Sequence, residues 1–384
     1  MTRTPSRSLR SRRWRAALVV PILLALTACA ENAPLDTLEP KGPEARSIDK
    51  LSDPVFLIAG IVFVLVQGGV LVLGWRYRKR KDDDGSLPSQ VHGHTLLELT
   101  WTFVPALLLA GVGVASVLTI LDLDDRPDDA MEVTVVGQQW WWEYRYDVDA
   151  DGTDDIITAN DLVIPAGEPV SLTITSRDVI HSFWIPALNG KRDAVPNREH
   201  PLLLEADEPG IFRGQCTEFC GLSHGFMRMR VVALSADDYA AWEANQLQGA
   251  REPDDELAQE GHELFRNTCS QCHRVRGPGG NEDLFHGAAL VSGAAPDLTH
   301  FASRGTFAGA TFDLWLDQDD DGEISLEEMD PDAGGRLNIA DLEAWLRDPS
   351  GEKPMYPQGE RGMPNLELTE EQIDALVAYL ETLE

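Results

Sequence analysis

Cysteine and basic charge are scarce in this 384-residue chain. It has five cysteines, too few for a dense disulfide framework, so each one has to be read for its own chemistry. Lys and Arg number 32 against 64 Asp and Glu, a net charge of −32; such a surface repels polyanions, which excludes nucleic acid as a partner. The first 28 residues hold six Arg and no acid, so the remainder is more acidic still. That surface could attract a basic protein or answer a salty habitat, and most charge runs are simply solvated faces. The length leaves room for two or three domains.

What is present is concentrated in Cys216-Thr217-Glu218-Phe219-Cys220-Gly221-Leu222-Ser223-His224-Gly225-Phe226-Met227, with His181 upstream. Two thiolates, an imidazole and a thioether form a soft donor set that suits copper. The three-residue gap between Cys216 and Cys220 lets both sulfurs converge from one loop, with His224 and Met227 near enough to complete the site and His181 as a fifth side chain. A mononuclear blue-copper site needs one Cys, two His and a weak Met, so the second Cys points to two coppers bridged by two sulfurs. The plainer alternative is a disulfide between Cys216 and Cys220 beside an unrelated His. The pattern resembles the CuA centre of subunit II of haem-copper cytochrome c oxidases, C-x-E-x-C-x3-H-x2-M after an earlier His. That resemblance implies that Cys216 and Cys220 bridge the coppers, that His181 and His224 each bind one, and that Met227 is a weak ligand. It also implies that Glu218 binds through its backbone carbonyl and offers its carboxylate to a magnesium site shared with subunit I.

A second motif is Cys269-Ser270-Gln271-Cys272-His273. C-x-x-C-H in an exported chain reads as covalent c-type haem attachment, with His273 adjoining the iron; a thioredoxin-like redox pair is the alternative. Leu257, Gly261, Leu264 and Phe265 recur at helical spacing before it. Met363 precedes a terminal helix opened by a Thr369/Gln372 capping box, with Ile373, Leu376, Val377 and Leu380 on one face. This arrangement resembles the small class I cytochromes c, which implies Met363 as the second axial ligand, Met355 as the alternative, and Pro296 as the proline whose carbonyl steadies His273. Met/His ligation raises the haem potential, suiting electron delivery.

At the N-terminus an Arg-rich region, an apolar run and Leu26-Thr27-Ala28-Cys29 resemble a bacterial lipoprotein signal, which implies acylation of Cys29; an uncleaved signal with an idle Cys29 is the alternative. The five cysteines are then all assigned. Residues 29–52, with Pro34, Pro40, Gly42 and Pro43, read as an exposed linker. Residues 55–75 carry no charge and are long enough to cross a bilayer. Arg76, Arg78, Lys79, Arg80 and Lys81 follow and fix that end in the cytoplasm. The run 99–121 returns across the membrane, leaving both termini and the metal domains on the extracytoplasmic side. Glu98 starts this second helix; an acid there is a snorkelling surface group or part of an ion pathway. Its segment resembles the E-x-x-W-T-x-x-P stretch of oxidase subunit II, which implies the mouth of a proton channel into subunit I.

From 131 to 234 short β-branched and aromatic runs alternate with Gly and Pro turns, a β-sandwich signature. Within it, Gly137-Gln138-Gln139-Trp140-Trp141-Trp142 resembles the G-x-Q-W-x-W segment of subunit II. The resemblance implies Trp140 at the surface as the electron inlet; core packing is the alternative. Trp141 departs from the family's usual Tyr. One stretch belongs to neither pattern: Asp317, Asp319, Asp321, Glu323 and Glu328, with Gly322 and Ile324, meet EF-hand calcium requirements, against the alternative of an acidic solvated insertion. Asp147-Val148-Asp149-Ala150-Asp151-Gly152 lacks the closing Glu and reads as a hairpin loop.

The expected architecture is a multidomain membrane protein: a two-helix transmembrane hairpin, a cupredoxin-like β-sandwich, and an all-α cytochrome c domain with an EF-hand-like insertion. The boundaries are 1–28 signal peptide, 29–52 linker, 53–122 transmembrane helices, 131–235 copper domain, 236–255 linker and 256–384 cytochrome domain, with the insertion about 313–336. The resemblance implies a subunit of cytochrome c oxidase in the bacterial cell membrane. Haem c would accept electrons from a cytochrome bc complex or soluble cytochrome c and pass them to CuA, which feeds oxygen reduction and proton pumping in subunit I. A nitric oxide reductase subunit and a copper chaperone are the rival readings; a quinol-oxidising subunit II should have lost the copper ligands.

Overall fold

The computed structural model describes residues 33–79, 92–127, 129–149, 151–152, 154–277, 295–356 and 361–384. The signal segment 1–28, Cys29, Arg80 and Lys81 lie outside them. Thr37–Glu384 forms one compact unit.

Two long helices come first, α1 (Pro43–Arg76, 34 residues) and α2 (Thr95–Leu123, 29 residues). Each exceeds the roughly 20 residues that cross a hydrocarbon core. Phe56, Leu65, Leu71, Leu107 and Leu118 all point outward, an arrangement that suits lipid and not water. At the start of α2 the His94 Nδ1 accepts from Leu97 N at 3.2 Å while Glu98 Oε1 accepts from His94 N at 3.2 Å. Glu98 therefore caps the positively polarised end of its own helix.

The exposed linker expected over 29–52 needs correction. α1 already begins at Pro43, in the first helical turn, where proline's missing N–H costs nothing. Lys41 N donates to Ala187 O at 2.7 Å and Ala45 N to Leu188 O at 3.1 Å. Gly42 fits because a Cβ there would collide with the Glu205 carbonyl, and Arg46 grips Asp207 with both Nη atoms. The Pro and Gly that resemble linker chemistry form the joint between α1 and the β-domain.

That domain has ten strands: β1 (Met131–Gln138), β2 (Trp141–Tyr146), β3 (Ile156–Ala159), β4 (Asp161–Pro165), β5 (Val170–Ser176), β6 (His181–Phe183), β7 (Arg192–Ala194), β8 (His200–Leu204), β9 (Gly210–Gln215) and β10 (Arg228–Leu234). A five-stranded sheet ordered β3-β2-β1-β5-β8 faces a three-stranded sheet ordered β4-β10-β9, and β6 pairs with β7. β1 is antiparallel to β2 but parallel to β5, and β10 is parallel to β4. Trp142, Tyr144, Tyr146, Leu162, Leu172 and Ile174 fill the space between the sheets, a closely packed scaffold for loops at its end.

The polar connector expected over 236–255 begins instead as a helix, α3 (Ala236–Gln246), capped by Ser235. Tyr239 and Trp242, three residues apart and so on one face, pack against the cluster of Val163, Val232 and Met131. The C-terminal domain is built from α4 (Glu256–Thr268), α5 (Ile339–Arg347), α6 (Pro349–Glu352) and α7 (Glu370–Glu381). α4 crosses α7 where Gly261 lies against the Ala375 carbonyl and Phe265 meets Tyr379, ring centroids 5.3 Å apart. The Thr369/Gln372 capping box opens α7. A small ribbon of β11 (Thr306–Phe307) and β12 (Phe312–Asp313) precedes the acidic insertion. Asp161 of the sandwich accepts from Gly305 N, Thr306 N and Thr306 Oγ1 at 2.7, 2.9 and 2.7 Å and from Arg230 Nε at 3.2 Å, and Arg230 Nη1 reaches Asp313 at 2.8 Å. A charge pair buried with its hydrogen bonds largely met holds one register between the two domains.

Candidate metal centres

The β9–β10 connection carries the sulfur-rich loop and β6 brings His181 against it. The ligand atoms of His181, Cys216 and Cys220 lie within 4.8 Å of one another. The two Sγ atoms are 3.9 Å apart, Cys220 Sγ is 3.6 Å from His224 Nδ1 and 3.8 Å from Met227 Sδ, and Cys216 Sγ is 3.3 Å from Glu218 O. A disulfide needs about 2.05 Å, so the sulfurs are not bonded to each other. All six sequence-derived candidates thus sit around one point.

The donor set fits a metal. His181 is fully buried with Nε2 2.9 Å from Asp178 Oδ1, and its Nδ1 has no hydrogen-bond partner. The carboxylate fixes the ring so that one nitrogen faces the sulfurs. Asp178 also accepts from Gln139 N and Val179 N at 2.8 and 2.7 Å. Burial alone would raise the Asp178 pKa, but these donors outweigh it and hold it below the ordinary value. For His181 burial pulls down, and Asp178 and Cys216 together push further up. The hydrogen bond from Cys220 lowers Cys216 to about 4, while the Cys216 thiolate pushes Cys220 far up. The pair therefore keeps one proton between them until a cation displaces it. Gly137 lets His181 approach: a Cβ there would stand 2.8 Å from its Cδ2.

The second site is a cavity of about 720 Å³ lined by Cys269, Cys272, His273, Met363, Leu376 and Leu380 of the helical domain. His273 Nδ1 lies 2.8 Å from Pro296 O. Burial lowers the His273 pKa, which keeps the imidazole neutral with Nε2 free to ligate. Both Met355 and Met363 line the cavity, but Met363 packs with the helical core and Met355 with the sandwich core.

Trp140 is not at the surface. It is 2% exposed, lines the haem-sized cavity, and donates Nε1–H to Cys220 O at 3.0 Å. The helical domain covers it, with the Tyr356 ring centroid 5.4 Å away. Lys353, 4% exposed, donates from Nζ to Trp140 O and Ala308 O, both at 2.8 Å. Burial drives its pKa down to about 7 despite the nearby Cys220. Asp178 and Lys353 are not singled out by sequence reasoning, and Gly137 enters it only as the first residue of the tryptophan segment. Asp178 stands three residues before His181, a spacing that could have flagged it; Lys353 acquires its place only when the domains meet.

In the insertion, Asp317, Asp319 and Glu328 bring carboxylate oxygens within 4.8 Å of one another. Asp321 and Glu323 are exposed beside them, and the loop is folded by Gly322 N on Asp317 at 2.8 Å and Gln318 N on Glu328 at 2.7 Å. Asp147, Asp149 and Asp155 group similarly, Asp155 being supplied from beyond the Asp147 loop.

A two-helix membrane anchor, a β-sandwich ending in a sulfur-rich cluster and a helical domain with a haem-sized cavity define a membrane-bound copper and haem electron carrier. The chain matches the family Cytochrome C oxidase subunit II, transmembrane domain, over residues 35–119, the periplasmic domain of the same subunit over 131–234, and Cytochrome c over 258–347. It is 34% identical to cytochrome c oxidase subunit 2 of Alkalihalophilus pseudofirmus, over 94% of this chain and 94% of that protein. It is 32% identical to that of Bacillus sp. (strain PS3), over 96% and 97%. The periplasmic domain of subunit II of cytochrome oxidase of Bradyrhizobium japonicum aligns with 31% of this chain and 95% of that one, at 28% identity and a TM-score of 0.29. The chain belongs to the cytochrome c oxidase subunit II family, with a cytochrome c domain at its C-terminal end. It is a membrane protein with a periplasmic domain and an electron-transfer subunit of a haem-copper oxidase, working in a complex with subunit I. Its family domains imply CuA copper and haem as cofactors, and the nitric oxide reductase alternative is not favoured.

Proposed function

We propose that electrons from a cytochrome bc complex or a soluble cytochrome c enter at the haem c site of 256–384 and leave by the CuA site of 131–235 for subunit I. The observation that carries this reading is Trp140, which borders the haem cavity and hydrogen-bonds the Cys220 carbonyl. Haem and copper, when bound, supply reversible one-electron chemistry. The chain's own residues hold them in place. Cys269 and Cys272 would hold the haem through thioether links, and His273 and Met363 would ligate its iron. Cys216, Cys220, His181, His224, Met227 and the Glu218 carbonyl would together hold the copper pair. Burial of Cys216, Cys220, Met227 and His181 keeps water away from that site, which tunes its potential.

The same reading gives Glu98 the mouth of a proton path into subunit I, the exposed Glu218 carboxylate a magnesium site shared with that subunit, and Cys29 a lipid. Exposed Phe219 and Leu222 beside the ligands supply an apolar face for subunit I. Calcium at Asp317, Asp319, Asp321, Glu323 and Glu328 would bring the clustered carboxylates together without repulsion. Metal analysis with electron paramagnetic resonance on the purified subunit tests the core of this: two coppers and one haem c per chain are expected. The resonance of an isolated mononuclear copper, or no copper at all, would refute it.

A further inference from the structure

The face of the copper domain above Trp140 is covered by residues 353–356 of the same chain. Three contacts fasten this segment. Lys353 Nζ donates to Trp140 O at 2.8 Å and ties it to Ala308 O, also at 2.8 Å. Ser223 Oγ, one residue before His224, donates to Pro354 O. The Tyr356 ring tilts over Trp140 at 39° with centroids 5.4 Å apart. Two glycines leave room for the closure. A Cβ on Gly309, whose φ is +75°, would strike Lys353 Nζ and Trp140 O; one on Gly221 would stand 3.1 Å from Trp140 Cζ2 and 3.3 Å from Tyr356 Oη. Neutral with two N–H donors or charged with three, the lysine amine can supply one to each carbonyl, so both anchor bonds form in either state. A lysine is seldom fully buried, and here its buried nitrogen spans both domains.

We propose that residues 353–356 are a built-in plug that seals the Trp140 face against external protein donors, with Lys353 as its positioning residue. The plug rests on the copper and haem assignments above: with it in place, a donor protein reaches copper only by way of the covalently held haem. The occupant of this face is the chain's own segment, so donor recognition moves to the helical domain.

The test uses the full chain in the assembled oxidase, with copper and haem content measured first. Amide hydrogen exchange is followed in wild type, Lys353→Met and Lys353→Arg. Loss of both donors should speed exchange in 138–142 and 220–224 on the order of tenfold, leaving α7 unchanged, and the arginine should restore much of the protection. Unchanged exchange in those two segments, or a uniform rise over the whole chain, would overturn the anchoring role. In stopped flow with a reduced soluble cytochrome c, copper reduction in wild type should lag haem reduction, and Lys353→Met should lose that lag. Copper reduction ahead of haem in wild type would overturn the seal while leaving both metal assignments intact, whereas missing copper or haem would overturn those assignments themselves.

Discussion

Replacing Asp178 by Asn keeps the size of the group that orients His181 and removes its charge. Its two oxygens accept from three donors, His181 Nε2, Val179 N and Gln139 N, and the side chain is only 13% exposed. An amide has one acceptor oxygen, so either the imidazole or the Gln139 N–H must then face an NH2 group. Leaving such a buried donor unmet costs about 1–3 kcal/mol. Outer-shell partners of metal-bound histidines change affinity by roughly 10- to 100-fold, equivalent to about 1.4–2.7 kcal/mol. The two routes together predict copper affinity lower by about fivefold to about 100-fold, with the haem spectrum untouched. Copper retention is measured by competition with a calibrated chelator, and the copper hyperfine pattern reports the changed His181. An unaltered affinity together with an unaltered hyperfine pattern would refute the assignment of Nδ1 as the ligand atom and of Asp178 as its support.

Met363→Leu should abolish the methionine-to-iron absorption band while Met355→Leu leaves it; the opposite pattern transfers the role. Asp161→Ala strips Arg230 of its fully buried partner and should cost about 3–5 kcal/mol, read as a lower unfolding midpoint with the domain interface exchanging first. Asp317→Ala with Glu328→Ala should lose bound calcium and the calcium-dependent rise in melting temperature; no change in either marks the loop as a solvated insertion. Lys353, depressed to about 7, carries fewer protons folded than unfolded between there and the ordinary lysine value. Stability of wild type relative to Lys353→Met should therefore rise with pH across that window, by up to about 1.4 kcal/mol per unit, and level off above it; a flat difference in denaturation curves would contradict it.

The copper and haem motifs were legible because their donors are local: five of the six copper candidates fall in one loop, and C-x-x-C-H carries its own chemistry. The distant His181 was legible as a fifth side chain, and the family pattern gave it a copper of its own. Two linkers were misread for a common reason. Pro43 and Gly42 look like chain breakers, yet one sits at a helix start and the other where only a bare backbone fits against Glu205. Ser235 begins a helix whose acids hide Tyr239 and Trp242 on the opposite face. The burial of Trp140, the Lys353 anchor and the setting of the Asp161–Arg230 pair depend on how the sandwich and the helical domain meet, and no local pattern encodes that.

The joint at Lys41 to Arg46 also bears on how the molecule is mounted. α1 runs for 34 residues, about 51 Å at 1.5 Å per residue, of which the hydrocarbon needs only about 30 Å. The surplus turns act as a rigid mast with no swivel, since the backbone bonds to Ala187 and Leu188 clamp its top. Deleting one residue from 47–53 would rotate the mounted head by about 100° and lower it about 1.5 Å, aiming Cys216 and Cys220 away from the receiving subunit. The number of residues in that polar stretch is thus as constrained as the identity of any buried one.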